Sequence, residues 1–166
     1  GGSGRRVSWA VLCSVSFGDR DGQGADLPGS RRILDTYADA GGNVIDTAVN
    51  YRGGQIETIR GELLLERRDS FVLATKYTAS REHADPNAAG NHRKNLRLSL
   101  DLSLRRLRTD HIDLYWVHMW DRWTPIGETM RALDEEVRAG RLLCVGTAGP
   151  PAGGLARTTP PDAGKG

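Results

Sequence analysis

Cysteine, methionine and phenylalanine each occur only twice in the 166 residues, and no apolar run approaches the roughly 18 residues that a membrane span needs. With Cys13 and Cys144 alone there is no disulfide framework and no metal-ligand set. Each cysteine lies in a short apolar run, Val11-Leu12-Cys13 or Leu142-Leu143-Cys144-Val145, and is expected to be a buried small hydrophobe in a reducing compartment. No charged start followed by an apolar stretch marks a signal peptide, so the chain reads as cytoplasmic and not membrane-bound. A one-sided charge is lacking as well. The 23 basic residues stand against 21 acidic ones for a net charge of +2, which argues against a nucleic-acid partner. The densest basic stretch, Arg105, Arg106 and Arg108, has the spacing of a solvated helix face. No G-x-G-x-x-G follows the first apolar run and no G-x-x-x-x-G-K-[ST] occurs anywhere, so the nucleotide-binding open sheet loses its main support.

What is present is an alternation of short apolar runs with helical patterns. Val11 to Phe17 reads as a first strand, followed by a loop rich in Gly and Asp from Gly18 to Gly29. A helix is expected over Ser30 to Ala40, with Ser30 as N-cap, Ile33, Leu34, Tyr37 and Ala38 on one face, and Gly41 as the stop. Then come strand Asn43 to Thr47, helix Gln55 to Arg67, strand Phe71 to Tyr77, a polar loop from Thr78 to Gly90, and helix His92 to Arg108. That last helix carries Leu96, Leu100, Leu104 and Leu107 on one stripe. Strand Ile112 to His118 follows. The next helix has Thr124 as cap, Pro125 at its first position, and Ile126, Met130, Leu133 and Val137 as its buried face, and it ends at Gly140. Strand Leu142 to Gly146 closes the regular region. Five strands with four intervening helices imply right-handed βα units around a parallel sheet. Residues 1–147 therefore read as one domain, which at this size buries roughly 70% of its unfolded surface. In residues 148–166 glycine and proline make up nine of nineteen positions, and disorder is expected there.

Asp46, Lys76 and His118 stand at the ends of three successive apolar strands, where barrel enzymes carry catalytic side chains. Each alone has an ordinary explanation, as a cap or a satisfied structural residue, but equivalent positions in adjacent repeats converge on one mouth. Tyr51 follows Asp46 by five residues in the loop Val49-Asn50-Tyr51-Arg52-Gly53-Gly54 and can reach the same place. A phenol, with a reference pKa of about 10, is a poor donor at neutral pH unless a nearby ammonium favours the phenolate. Lys76 supplies that charge, Asp46 orients Lys76, and His118 can donate a hydrogen bond to a substrate oxygen. The set suits protonation of an oxygen as hydride adds to a carbonyl, which implies a nicotinamide cofactor. Schiff-base chemistry at Lys76 is a weaker alternative, since Asp46 would keep the lysine charged.

The segments NVIDTAVNYRGG, VLATKY and HIDLYWVHMWDRWTPIGETMRALDEEVRAGRLLCVG closely resemble the aldo-keto reductase superfamily, particularly its bacterial members related to potassium-channel β subunits. The resemblance covers about Gly4 to Gly146. It implies an α/β fold, a (β/α)8 TIM barrel of which this chain holds the amino-terminal part, and reduction of an aldehyde or ketone with NADPH. Carried over by position, the family's tetrad falls on Asp46, Tyr51 as general acid, Lys76 and His118, with Asp46 also beside the cofactor. By the same likeness Trp120 and Tyr77 line the substrate mouth.

The sequence departs from that family in two places. Leu12-Cys13-Ser14-Val15 stands where a Leu-Gly-Thr-Met segment is usual, and Val145-Gly146-Thr147-Ala148-Gly149 lacks the polar pair that holds the nicotinamide carboxamide. The groups that grip the cofactor's phosphates belong to later βα units. A five-stranded piece is expected to expose two strand edges and an apolar interior, and so to self-associate or recruit a partner. The competing reading is a catalytically inactive barrel fragment, or a regulatory or interaction subunit.

Overall fold

A computed structural model describes residues 4–13 and 24–148 of the chain. Five strands, β1 (Leu12–Cys13), β2 (Val44–Asp46), β3 (Val72–Tyr77), β4 (Leu114–Val117) and β5 (Val145–Thr147), alternate with four helices, α1 (Leu27–Asp39), α2 (Gln55–Leu64), α3 (Arg93–Leu107) and α4 (Ile126–Arg138). Of the expected first strand, Val11 to Cys13 are described, and only Leu12–Cys13 are in strand. Its remainder, Ser14 to Phe17, and the expected disordered tail beyond Ala148 lie outside the described residues.

All neighbouring strands pair in parallel and in chain order, β1 to β5. An open doubly wound sheet reverses its strand order and places helices on both faces. Here the order never reverses. Period-2 alternation sends Ile45, Leu73, Tyr77, Tyr115 and Val117 to one face, into a single core with Leu34 of α1, Leu63 of α2, Leu96 and Leu100 of α3, and Leu133 of α4. All four helices therefore cover the same side, as in a barrel wall. Full burial of each such leucine contributes about 1.5–3 kcal/mol.

The leucine stripe of α3 forms as its spacing predicts, with Leu96, Leu100 and Leu107 buried and Leu104 packed at the edge. Several other expectations are corrected. Asp26, not Ser30, caps α1: its carboxylate accepts a 2.7 Å hydrogen bond from Gly29 N, and Pro28 falls in the first turn, where its missing N–H costs nothing. Ser30 lies inside the helix, donating to the Ala25 carbonyl at 3.1 Å. Ile33 is exposed, not part of the buried face. Thr124 does not cap α4, because its hydroxyl donates to Asp121 at 2.9 Å, and Pro125 occupies the cap position itself. The buried face of α4 is Thr129, Ala132, Leu133 and Glu136, leaving Val137 exposed. That rotation lets Glu136 meet Arg141 at 2.7 Å and Thr129 donate to the Asn91 carbonyl at 3.3 Å.

The cysteines are the clearest departure from expectation. Both are free thiols, with Cys13 exposed and Cys144 half-buried. Leu12 takes the core-facing position of β1, so Cys13 alternates away from the helices, on a strand that pairs on one side only among the described residues.

Candidate active site

The same alternation that builds the core aims the polar residues at the other face. Ile45 enters the core, so its neighbour Asp46 points inward; Leu73 and Thr75 are buried under the helices, so Lys76 points inward beside it. After Asp46 the chain stays against β3: Thr47 N donates to Ala74 O at 3.0 Å and Val49 N to Lys76 O at 3.1 Å. This carries the 3₁₀ turn Tyr51–Gly54 over Lys76. Arg52, Gly53 and Gly54, with φ of 47°, 63° and 90°, then reverse the chain into α2. Left-handed backbone at a non-glycine such as Arg52 is uncommon and concentrates at functional loops.

Lys76 Nζ donates to the Asp46 carboxylate and, at 2.8 Å, to the Thr47 carbonyl. Both side chains of the ion pair are largely buried, which strengthens their attraction relative to a surface pair. The ammonium lies 5.3 Å from the centre of the Tyr51 ring. His118, one residue past β4, meets Tyr51 edge to face with ring centres 6.3 Å apart, and its backbone N–H donates to Tyr77 O at 3.3 Å. The structure thus brings Asp46, Tyr51, Lys76 and His118 together at the carboxyl ends of β2, β3 and β4. Partial burial, reinforced by the Lys76 ammonium and opposed by Asp46, lowers the proton affinity of His118 below the ordinary imidazole range.

Thr47 Oγ1, Asn50 Oδ1, His118 Nδ1 and Trp120 Nε1 are shielded polar atoms without a hydrogen-bond partner among the described residues. All four belong to the segments that carry this cluster. Such atoms also occur away from the cluster, Tyr115 Oη in the core among them, so here they leave hydrogen-bonding capacity open to a ligand without by themselves marking one. Below it, the inward face of the sheet walls a cavity of about 570 Å³, bordered by Val44, Val72, Ala74, Leu114 and Trp116 with Asp46 and Lys76. Among the described residues no group of three or more His, Cys, Asp or Glu is placed to hold a metal ion.

The sequence model of the aldo/keto reductase family matches residues 14–160. The chain belongs to the aldo/keto reductase family. Its five strands and four helices are accordingly part of a (β/α)8 barrel, and the match continues past residue 147, where the regular pattern was expected to end. Norsolorinic acid reductase A of Aspergillus parasiticus is 43% identical over 160 residues, covering 90% of this chain and 41% of the relative. Aldo-keto reductase ausK of Aspergillus calidoustus is 39% identical over 161 residues, covering 90% of this chain and 41% of the relative. Aryl-alcohol dehydrogenase GME11368 of Pestalotiopsis microspora is 41% identical over 126 residues, 72% of this chain and 33% of the relative. The chain thus spans about two fifths of the length of the curated reductases it matches. These relatives are fungal and do not bear on the narrower likeness to bacterial members related to potassium-channel β subunits.

Two expectations change here, at Tyr77 and at Arg106. Tyr77 does not reach the mouth: it alternates with Lys76 onto the helix side, is fully buried, stacks on Tyr115 at 5.3 Å, and donates to the Asn91 carbonyl at 3.4 Å. Trp120 lies two residues past His118, half-buried against the core. Arg106 is not a solvated helix residue, since its guanidinium donates to Val49 O at 2.8 Å and to Gly53 O at 3.2 Å. Sequence reasoning also passed over Asn91 and Asp121. Asn91 N donates to Asp121 Oδ2 at 2.5 Å and Asp121 N to Asn91 Oδ1 at 2.6 Å, tying the loop after β3 to the loop after His118. Burial opposes ionisation of Asp121, but N–H donors from Asn91, Thr124 and Trp123 outweigh it and hold the carboxyl below the usual carboxylate range. The glycine beside Asn91 and the Asp-x-x-Thr spacing after Trp120 were the available signals.

Proposed function

We propose that the protein is a carbonyl reductase that converts an aromatic aldehyde or ketone to the alcohol with NADPH, Tyr51 serving as general acid. The observation that carries this reading is the convergence of Tyr51, Lys76 and His118, with Lys76 held by Asp46 and the Thr47 carbonyl. An aryl substrate is supported by the likeness to the aryl-alcohol dehydrogenase of Pestalotiopsis microspora.

A bound nicotinamide supplies the hydride. The unspent polar atoms around the cluster and the cavity beneath it fit the reactive end of such a cofactor, with Asp46 and Lys76 bordering it. Tyr51 gives its proton to the carbonyl oxygen as that oxygen becomes an alkoxide. Lys76 stabilises the negative charge left on the phenol oxygen, and Asp46 fixes the lysine against drift. His118 is neutral near pH 7 and donates a hydrogen bond to the substrate oxygen, which orients the carbonyl between the two rings. Lys76 Nζ is spent on two acceptors, which makes it a poor amine nucleophile and disfavours Schiff-base chemistry.

The test is consumption of NADPH, followed by its absorbance, with an aromatic aldehyde such as benzaldehyde, beside a fluorescence titration of the cofactor. Saturable turnover is expected. The absence of both binding and turnover, with NADPH and with NADH, would overturn the reading. One feature favours a second reading, an interaction module that self-associates: β1 and β5 each pair on one side only among the described residues, and the inward cavity wall is apolar. Light scattering after size-exclusion chromatography decides it, since a strictly monomeric folded species excludes self-association.

A further inference from the structure

On the helix side of the sheet, behind the tetrad, sits a carboxylate that the proposed chemistry does not use. Glu57 of α2 is fully buried. Its Oε1 accepts from Thr75 Oγ1 at 2.9 Å, and its Oε2 faces Arg106 Nη1 at 3.3 Å. Thr75 immediately precedes Lys76 on β3, so the carboxylate is anchored to the strand that presents the lysine. Arg106 Nη1 also donates to Val49 O and its Nη2 to Gly53 O, two residues before and two residues after Tyr51. One planar guanidinium thereby grips both ends of the loop that carries the phenol, a two-pronged geometry that an ammonium cannot reproduce.

The surroundings are shaped for this grip. A Cβ on Gly54 would come within 2.0 Å of Arg106 Cζ, so the guanidinium rests on bare backbone at a residue whose φ of 90° already calls for glycine. A Cβ on Gly61 would meet the Arg106 carbonyl oxygen at 2.2 Å, and this bare position lets α2 and the end of α3 approach closely. Burial raises the proton affinity of Glu57 more than Ser103, Thr75 and Arg106 together lower it, so the pair is a costly way to gain stability alone. Arg52, the one non-glycine of the left-handed run at φ 47°, holds an uncommon backbone conformation that surrounding contacts must maintain.

We propose that Glu57 and Arg106 are positioning residues that hold the Tyr51 loop in register with Lys76, Arg106 clamping the loop and Glu57 tying the clamp to β3 through Thr75. This rests on the reading of Tyr51 as general acid. The test compares Arg106→Lys and Arg106→Ala with wild type by amide hydrogen exchange over residues 49–54 and by kcat and KM for carbonyl reduction. Expected are exchange raised selectively in that loop, kcat lowered on the order of 10- to 100-fold with KM little changed, and partial rescue of Arg106→Ala by added guanidinium ion. A merely structural ion pair would lower the Tm yet leave loop exchange and kcat per folded molecule at wild-type values, and that result overturns the proposal. If wild type itself turns over no carbonyl substrate, the functional reading fails, and loop exchange alone still decides the clamp. If Arg106→Ala does not fold, Arg106→Lys, which keeps the charge facing Glu57, carries the comparison.

Discussion

The two faces of one five-stranded sheet have been put to different uses. On β3 the helix-facing residues Leu73, Thr75 and Tyr77 are wholly buried under helices, while Val72, Ala74 and Lys76, which alternate with them, border a cavity. The helix side is filled from within the chain by leucines from four helices, by Tyr77 stacked on Tyr115 and by Glu57 with its donors, although Tyr115 Oη has no hydrogen-bond partner among the described residues. The inward side keeps an apolar space of about 570 Å³ bordered by the Asp46–Lys76 pair. Burial on the outside fixes where the strands end, and the strand ends fix where the proton-handling groups stand. Stability and chemistry are thus separated by one residue's shift along each strand, which makes the separation open to mutation.

The largest effect should come from the inward side. Tyr51→Phe removes one oxygen from a half-buried ring while keeping the ring's contact with Lys76 and its edge on His118. A loss of roughly 10²- to 10⁴-fold in kcat is expected with the Tm nearly unchanged, checked by NADPH consumption and thermal melting side by side. The mirror experiment is Leu100→Ala on α3, a fully buried residue behind the sheet. Stability should fall by about 2–5 kcal/mol in urea titration, with kcat per folded molecule preserved. A Leu100→Ala protein that stays stable but inactive would break the proposed division between the two faces.

A third substitution probes the boundary itself. Gly146 in β5 faces the inward ring of Trp116 on β4, and a Cβ there would come within 2.4 Å of the ring. Gly146→Ala must push the indole toward the open cavity, at about 1–3 kcal/mol. The expected signature is an altered tryptophan emission spectrum with a modest drop in Tm. Unchanged emission would mean that the strand yields instead of the ring.

The same division explains what could be read in the sequence. The α3 stripe was legible because four leucines at helical spacing leave one packing solution, and the strands were legible as apolar runs. Asp46, Lys76 and His118 stood out because each closes such a run, and the structure does bring them to one place with Tyr51. Tyr77 was misplaced although the period-2 rule was available: it neighbours Lys76 and must face the other way. Helix starts depended on contacts between segments. Thr124 has the chemistry of a cap but gives its hydroxyl to Asp121, and Asp26 outcompetes Ser30 because Pro28 follows it. Arg106 is indistinguishable in sequence from its neighbours Arg105 and Arg108. Only the approach of α2, permitted by Gly54 and Gly61, turns it onto the Tyr51 loop.

The smallest effect is electrostatic and belongs to the inward face alone. Burial, and then the Lys76 ammonium, lower the proton affinity of His118 in the folded protein, with Asp46 pulling weakly the other way. The unfolded chain titrates near the ordinary imidazole value of about 6.5. Above that value both states carry a neutral ring and the contribution to stability is whole. As the pH falls below it the unfolded chain takes up a proton that the folded chain resists, so stability declines until the folded ring also protonates. His118→Gln removes that titration. The difference in urea midpoint between wild type and His118→Gln should therefore shift against wild type as the pH falls through about 6.5, and be flat well above that value. Carboxylates such as Glu57 titrate alike in both proteins and cancel in the difference. A difference that grows in favour of wild type on acidification would mean that Asp46 governs His118, and the ring would then work as an imidazolium.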